Sequence, residues 1–188
     1  MRILFCDSAR FDMARRRWNG GMGFTLIELL MVMALIGVIT AVSVPYLNTL
    51  VQSIQIKTNT RNFYNALAFT RSEAVRRGGR VSMCSSTTGT SCTGSSWASG
   101  WVVFADPNNP QTIDTGETII KVHESLGGTS TTVAAGVTAI SYLASGILST
   151  GTLTSFNLCD SRGASYGKSI EVTATGRIKS KGIPASCS

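Results

Sequence analysis

Few residues of this chain have chemistry to offer. His123 is the only histidine, and no Ser or Cys is spaced with it as a nucleophile and its base would be. Cys84, Cys92, Cys159 and Cys187 contain no CxxC pair, which argues against zinc and for two disulfides. Of the three possible connectivities, Cys84–Cys92 with Cys159–Cys187 is favoured. The first closes a Ser/Thr/Gly loop, and the second ties the C-terminus to a strand. Glu28 stands alone in the apolar run 24–44, where a carboxylate costs about 2.5–3.5 kcal/mol and needs a cation. Arg177, Lys179 and Lys181 alternate with Ile178, Ser180 and Gly182 after Gly176. An extended strand would turn the three cations to one side. That stripe suits phosphates, and it is also what a solvated strand face looks like. No phosphate loop, metal cluster or paired carboxylates are evident. An enzyme is therefore not expected, nor a cofactor or metal.

The elements that carry these residues divide at the apolar run. Residues 24–44 meet the length of about 20 residues that a bilayer core of about 30 Å requires. Arg15, Arg16 and Arg17 precede the run, and no charge follows it until Lys57. The positive-inside rule places residues 1–23 in the cytoplasm and the rest outside. A secretory signal cut near Ala41 or Ser43 is the competing reading. The length of the run and the helical pattern beyond it weigh against that. Pro45 is expected to kink or locally melt the helix, not to end it. Leu47, Val51, Ile54, Phe63, Leu67 and Val75 continue at helical spacing until Gly78 and Gly79 stop the helix, giving an amphipathic half over 46–79.

From residue 80 the runs are short and β-prone: RVSMC, GWVVFA, ETIIKVHE, TAISYLA, TLTSFNLC and SIEVTAT. Turn-like pieces, including SLGGTSTT, separate them. The expected fold is α+β, with six or seven antiparallel strands in one or two small sheets laid against the helix. The net charge of +7 needs no more than ordinary solubility to explain it. At the helix end, Glu73 and Arg77 are spaced to pair. Arg71, Arg76, Arg77 and Arg80 suit a helix C-terminus, and a phosphate-binding patch is the sharper alternative. Trp97 and Trp101 are expected to anchor core or loop, with base stacking the alternative.

The stretch GFTLIELLMVMALIG closely resembles the processing signal of type IV pilins and type II secretion pseudopilins, with Gly23, Phe24, Thr25, Leu26, Ile27, Glu28 and Leu29 all fitting in order. The resemblance implies a type IV pilin-like fold, with a long N-terminal helix packed on a small antiparallel β-domain. It implies that a prepilin peptidase removes residues 1–23 by cutting between Gly23 and Phe24, and that the new amine of Phe24 is methylated. Glu28 would pair with the N-terminal amine of a neighbouring subunit. The implied location is the inner membrane, single-pass over 24–45, with the C-terminal domain in the periplasm and later in a pilus or pseudopilus beside other pilins. A leader of 23 residues is long for this class. Met13 offers a shorter one, MARRRWNGGMG, which would leave Cys6 without a role.

The soluble part, with 80–188 as its β-rich extracytoplasmic domain, resembles the GspH/FimT domain of minor pilins and pseudopilins through TRSEAVRRGGRVSMC, GWVVFAD, SFNLCDSRG and SIEVTATGRI, a resemblance that covers nearly the whole chain after residue 23. This implies a minor pilin of the FimT/FimU type that primes or caps a fibre. The alternative is a GspH-like pseudopilin of type II secretion. Paired cysteines and a basic tail suit the pilus branch better. Some FimT-like members bind DNA for uptake through a Gly-Arg-x-Arg motif. Here GRIKSK matches at Gly176 and Arg177, while Lys179 replaces the second Arg and Lys181 adds a charge. Lysine keeps the charge but loses the bidentate fork.

Overall fold

The computed structural model of the chain describes residues 23–108, 112–133 and 136–187. The leader, Cys6 and the alternative start at Met13 lie outside the described residues. The described residues form two compact units that divide between Val44 and Pro45.

Helix α1, Leu26–Arg77, begins in the first unit and includes Pro45. Its apolar N-terminal half is long and apolar enough to cross a membrane. All described side chains of residues 23–51 are exposed. The helix continues through Pro45 and does not end there.

In the second unit the helix buries Ile56, Phe63, Ala66, Leu67, Thr70 and Ala74. This stripe corrects the one expected from the sequence. Phe63 and Leu67 belong to it, but Leu47, Val51, Ile54 and Val75 are each at least half exposed. Those four lie on the opposite side of the helix. The buried side uses small residues instead, and Thr70 satisfies its hydroxyl on the Ala66 carbonyl at 2.7 Å. Gly78 then adopts φ +63 and ends the helix. Its N–H bonds to the Val75 carbonyl and that of Gly79 to the Ala74 carbonyl, the two bonds of a Schellman cap.

Among the described residues, eight antiparallel strands form two four-stranded sheets. The first contains β1 (Val81–Ser85), β2 (Trp101–Ala105), β3 (Ile119–His123) and β5 (Ala139–Tyr142) in the order β3-β2-β1-β5. The second contains β4 (Thr129–Val133), β6 (Thr154–Asp160), β7 (Lys168–Val172) and β8 (Ile178–Gly182) in the order β4-β6-β7-β8. Strand β4 falls in SLGGTSTT, which the sequence marked as a turn. A run of β-branched threonines without apolar alternation has no periodic signal, and its pairing with β6 makes it a strand.

Phe63 joins the helix to both sheets. Its ring centroid lies 5.3 Å from Trp97, 5.2 Å from Trp101 and 5.0 Å from Phe156, all edge-on. Both tryptophans are thus core anchors, each about 1 % exposed, and are closed to stacking on a base. Strand β1 is buried on both faces. Its outer face meets Val102 and Phe104 beside Cys92, so the loop tethered by Cys84 covers that side of the sheet.

Candidate functional site

At the start of α1, Gly23, Phe24 and Thr25 precede the helix in coil. Phe24 is 82 % exposed, and nothing comes within 4 Å of a Cβ placed on Gly23. The Thr25 hydroxyl accepts the Glu28 N–H at 3.2 Å, and the Thr25 carbonyl accepts the Leu29 N–H at 3.2 Å. Thr25 therefore caps the helix, and Glu28 occupies the capping-box position in its first turn. A carboxylate there is favoured by the unpaired N–H groups and the positive end of the helix dipole. This local reason for Thr25 and Glu28 was available in the Thr-x-x-Glu spacing. Among the described residues, no ion pair involves Glu28.

The basic tail is built differently from a free stripe. Gly176 is buried in the turn between β7 and β8, with φ +77, its N–H on the Thr173 carbonyl and the Arg177 carbonyl on the Thr173 N–H. A Cβ on Gly176 would collide with the Gly146 carbonyl oxygen. Arg71 on α1 fastens the same place: its Nε donates to the Gly146 carbonyl at 2.8 Å and its Nη2 to the Thr175 carbonyl at 3.2 Å. Gly176 thus shapes the turn and is buried in it. Arg177 and Lys179 are exposed. Lys181 is exposed too, but it pairs with Glu171 of β7 at 2.8 Å. Glu171 is the register partner of Lys179, and its carboxyl is held below the usual range chiefly by the Lys181 hydrogen bond. The stripe of three like cations expected from sequence is therefore partly neutralised.

The other expected residues resolve as structure. Cys84–Cys92 and Cys159–Cys187 are disulfides, with Cα atoms 5.5 Å and 5.9 Å apart. The second holds the C-terminal segment, where Pro184 is buried and Asn157 Nδ2 donates to the Ser186 carbonyl at 3.2 Å. Glu73 accepts from Arg76 Nη2 at 2.6 Å and from Arg77 Nε at 2.8 Å. Those two guanidiniums, Arg76 first, hold its carboxyl down at about 2. His123 stacks on Trp101 with centroids 4.1 Å apart. Two residues with large structural roles had no sequence signal of them. One is Arg71. The other is Arg162, which pairs with Asp160 at 2.6 Å and donates from Nη1 to the Thr49 carbonyl at 3.1 Å and the Ser53 hydroxyl at 2.9 Å. This fork ties the SFNLCDSRG turn to α1 one helical turn past Pro45 and keeps the Asp160 carboxyl below its usual range.

A long N-terminal helix with an uncovered apolar half, joined to two antiparallel sheets around its other half, defines a pilin-like subunit. The family model of the type II transport protein GspH matches residues 59–176, and the chain belongs to that family. The type IV minor pilin FimU of Pseudomonas aeruginosa (strain PAO1) shares the fold. Two crystal forms align with a TM-score of 0.58 at 18 % identity, covering 71 % of this chain and 100 % or 95 % of the FimU chain. The minor pseudopilin EpsH of the type 2 secretion system of Vibrio cholerae aligns at 12 % identity with a TM-score of 0.47, covering 68 % of this chain and 97 % of its own. No curated protein matches the sequence.

Proposed function

We propose that this chain is a minor pilin of a type IV pilus, a structural subunit and not an enzyme. A prepilin peptidase cuts between Gly23 and Phe24 and methylates the Phe24 amine. The helix then resides in the inner membrane with the domain in the periplasm, and passes from there into the fibre. The observation that carries this is the first unit. An apolar helix with no cover on its described side chains presents one carboxylate, Glu28, in its first turn. Glu28 lacks a cationic partner among the described residues, and the amine of a neighbouring subunit supplies one. Burial in a bundle of helices then replaces lipid around the apolar side chains, and the paired charge is tolerated where a single one is not.

The two disulfides and the exposed Arg177 and Lys179 support the pilus branch, with DNA as a second ligand held through its phosphates. The GspH family match favours a second reading, a pseudopilin of type II secretion. Deleting the gene and restoring it separates them. Loss of twitching or transformation with normal export of exoproteins supports the pilus. Loss of exoprotein export with normal piliation assigns the chain to secretion.

A further inference from the structure

The solvent face of α1 in the second unit carries a charge pattern that the proposed anchoring role does not use. At 3.6 residues per turn, Lys57, Arg61, Tyr64, Arg71 and Val75 share one side, about a quarter turn round the helix from Ile56, Phe63 and Leu67. Lys57, Arg61 and Tyr64 are exposed and Arg71 is half-buried. From residue 46 to the end of the helix there are five cations and a single acid, Glu73. Glu73 lies on the buried side, where Arg76 and Arg77 occupy it. Arg71 is engaged by carbonyls, which leave its charge uncompensated. Among the described residues, no carboxylate pairs with Lys57, Arg61, Arg71 or Arg177.

Two features say what covers this face. Toward the N-terminus the same side continues as Tyr46, Leu50 and Ile54, which are 73 %, 48 % and 54 % exposed. A partner covering those side chains runs on over Lys57 and Arg61. Toward the C-terminus the face opens into a groove of about 720 Å³ walled by Tyr64, Arg71, Arg76 and Arg177, with Ala68, Val75 and Ile178 as its apolar lining. Apolar surface between guanidiniums suits protein side chains better than a phosphate chain.

We propose that this face docks a different pilin-like subunit, one whose helix presents a row of carboxylates. The helix of a second copy carries five cations and one acid over this stretch, and that acid, Glu73, is already paired, so a copy cannot supply the row of carboxylates that an acidic partner can. The inference rests on the reading of the chain as a fibre subunit.

The test uses the full-length chain in its own host. A photo-cross-linking residue replaces Tyr64 in one variant and Leu35, within the apolar run, in another. Adducts are identified by mass spectrometry. Both positions are expected to cross-link. The Tyr64 adduct should be a different pilin-like chain, joined through a peptide with acids three or four residues apart. Lys57→Glu with Arg61→Glu should cut the Tyr64 adduct at least about tenfold, or about 1.4 kcal/mol, and leave the Leu35 adduct intact. Reversing the partner's acids to lysine should restore it. The inference is overturned by a Tyr64 adduct with a second copy only, by one with nucleic acid, by an adduct indifferent to charge reversal, or by Leu35 adducts without any at Tyr64. Absence of adducts at both positions overturns the fibre-subunit reading itself.

Discussion

Lys181 Nζ lies 2.8 Å from Glu171 Oε2, and Glu171 faces Lys179 across the register of β7 and β8, so one carboxylate serves two lysines of the tail. Glu171 competes with any polyanion for them. Glu171→Gln is therefore expected to strengthen binding of the full chain to duplex DNA. Release of Lys181 to one phosphate steepens the dependence of log affinity on log salt by about 0.9. Arg177→Gln is expected to weaken binding by a similar slope. Band-shift titrations at several salt concentrations measure both. A Glu171→Gln slope equal to the parent's shows that Lys181 contacts no phosphate.

Gly176 and Gly182 separate backbone conformation from crowding. Both have positive φ, +77 and +76, but a Cβ would collide with the Gly146 carbonyl oxygen at the first and meet nothing within 4 Å at the second. Gly182→Ala should cost about 1–2 kcal/mol for the left-handed conformation alone. Gly176→Ala must also move the turn off Gly146 and break the Arg71 hydrogen bonds, each worth about 1.5–3 kcal/mol for a charged donor. Urea midpoints at an unchanged m-value give the difference, with Gly176→Ala clearly the lower.

Glu73 makes stability depend on acid. Its folded pKa of about 2 lies below the ordinary 4.5 because Arg76 and Arg77 bond the ionised form. The unfolded chain therefore takes up its proton first as pH falls. The contribution is fully present above 4.5 and is lost as pH drops toward 2. Glu73→Gln is expected to melt at a lower temperature than the parent at pH 7. The gap should close between pH 4.5 and 2, followed by thermal melts across that range. A gap that persists at pH 2 would mean that packing, not charge, explains the loss.

Patterns local to the chain were legible in the sequence, and contacts between distant segments were not. The apolar run, the glycine stop after Arg77, the Glu73–Arg77 pair and the strands around Val103 and Ile170 are all set by neighbours in sequence. The buried stripe of α1 was misplaced because its small members, Ala66, Thr70 and Ala74, carry little apolar signal, while the exposed Leu47, Val51 and Ile54 carry a strong one. Strand β4 was missed because its partner β6 begins 21 residues after its own end. At the tail, Arg177, Lys179 and Lys181 are exposed, but Ser180 and Gly182 are exposed as well and the register with β7 shifts at Lys181, so simple alternation does not hold, and it could not place Glu171 beside the lysines or Gly146 over Gly176. Arg71 and Arg162 reach carbonyls 75 and 113 residues away, and nothing in their flanks announces it.

Glu28 has a local role at the helix start and a proposed one in assembly, and one pair of variants distinguishes them. As a first-turn carboxylate above the Thr25 cap it favours the helix start by about 0.3–1 kcal/mol. If Glu28 is the partner of a neighbour's amine, as proposed, its removal would leave that cation buried and unpaired, at about 3–5 kcal/mol. Thr25→Ala disturbs the cap and leaves the carboxylate in place, so its fibre incorporation should fall only a few-fold. Glu28→Val adds apolar surface and should insert in the membrane at least as well as the parent. Its incorporation should fall about a hundredfold or more, the equivalent of about 3 kcal/mol. Membrane fractions and sheared fibres, compared by quantitative mass spectrometry, report the two steps separately. Equal losses for Thr25→Ala and Glu28→Val would assign Glu28 to the helix start alone, and undiminished Glu28→Val in fibres would remove the amine pairing from the assembly mechanism.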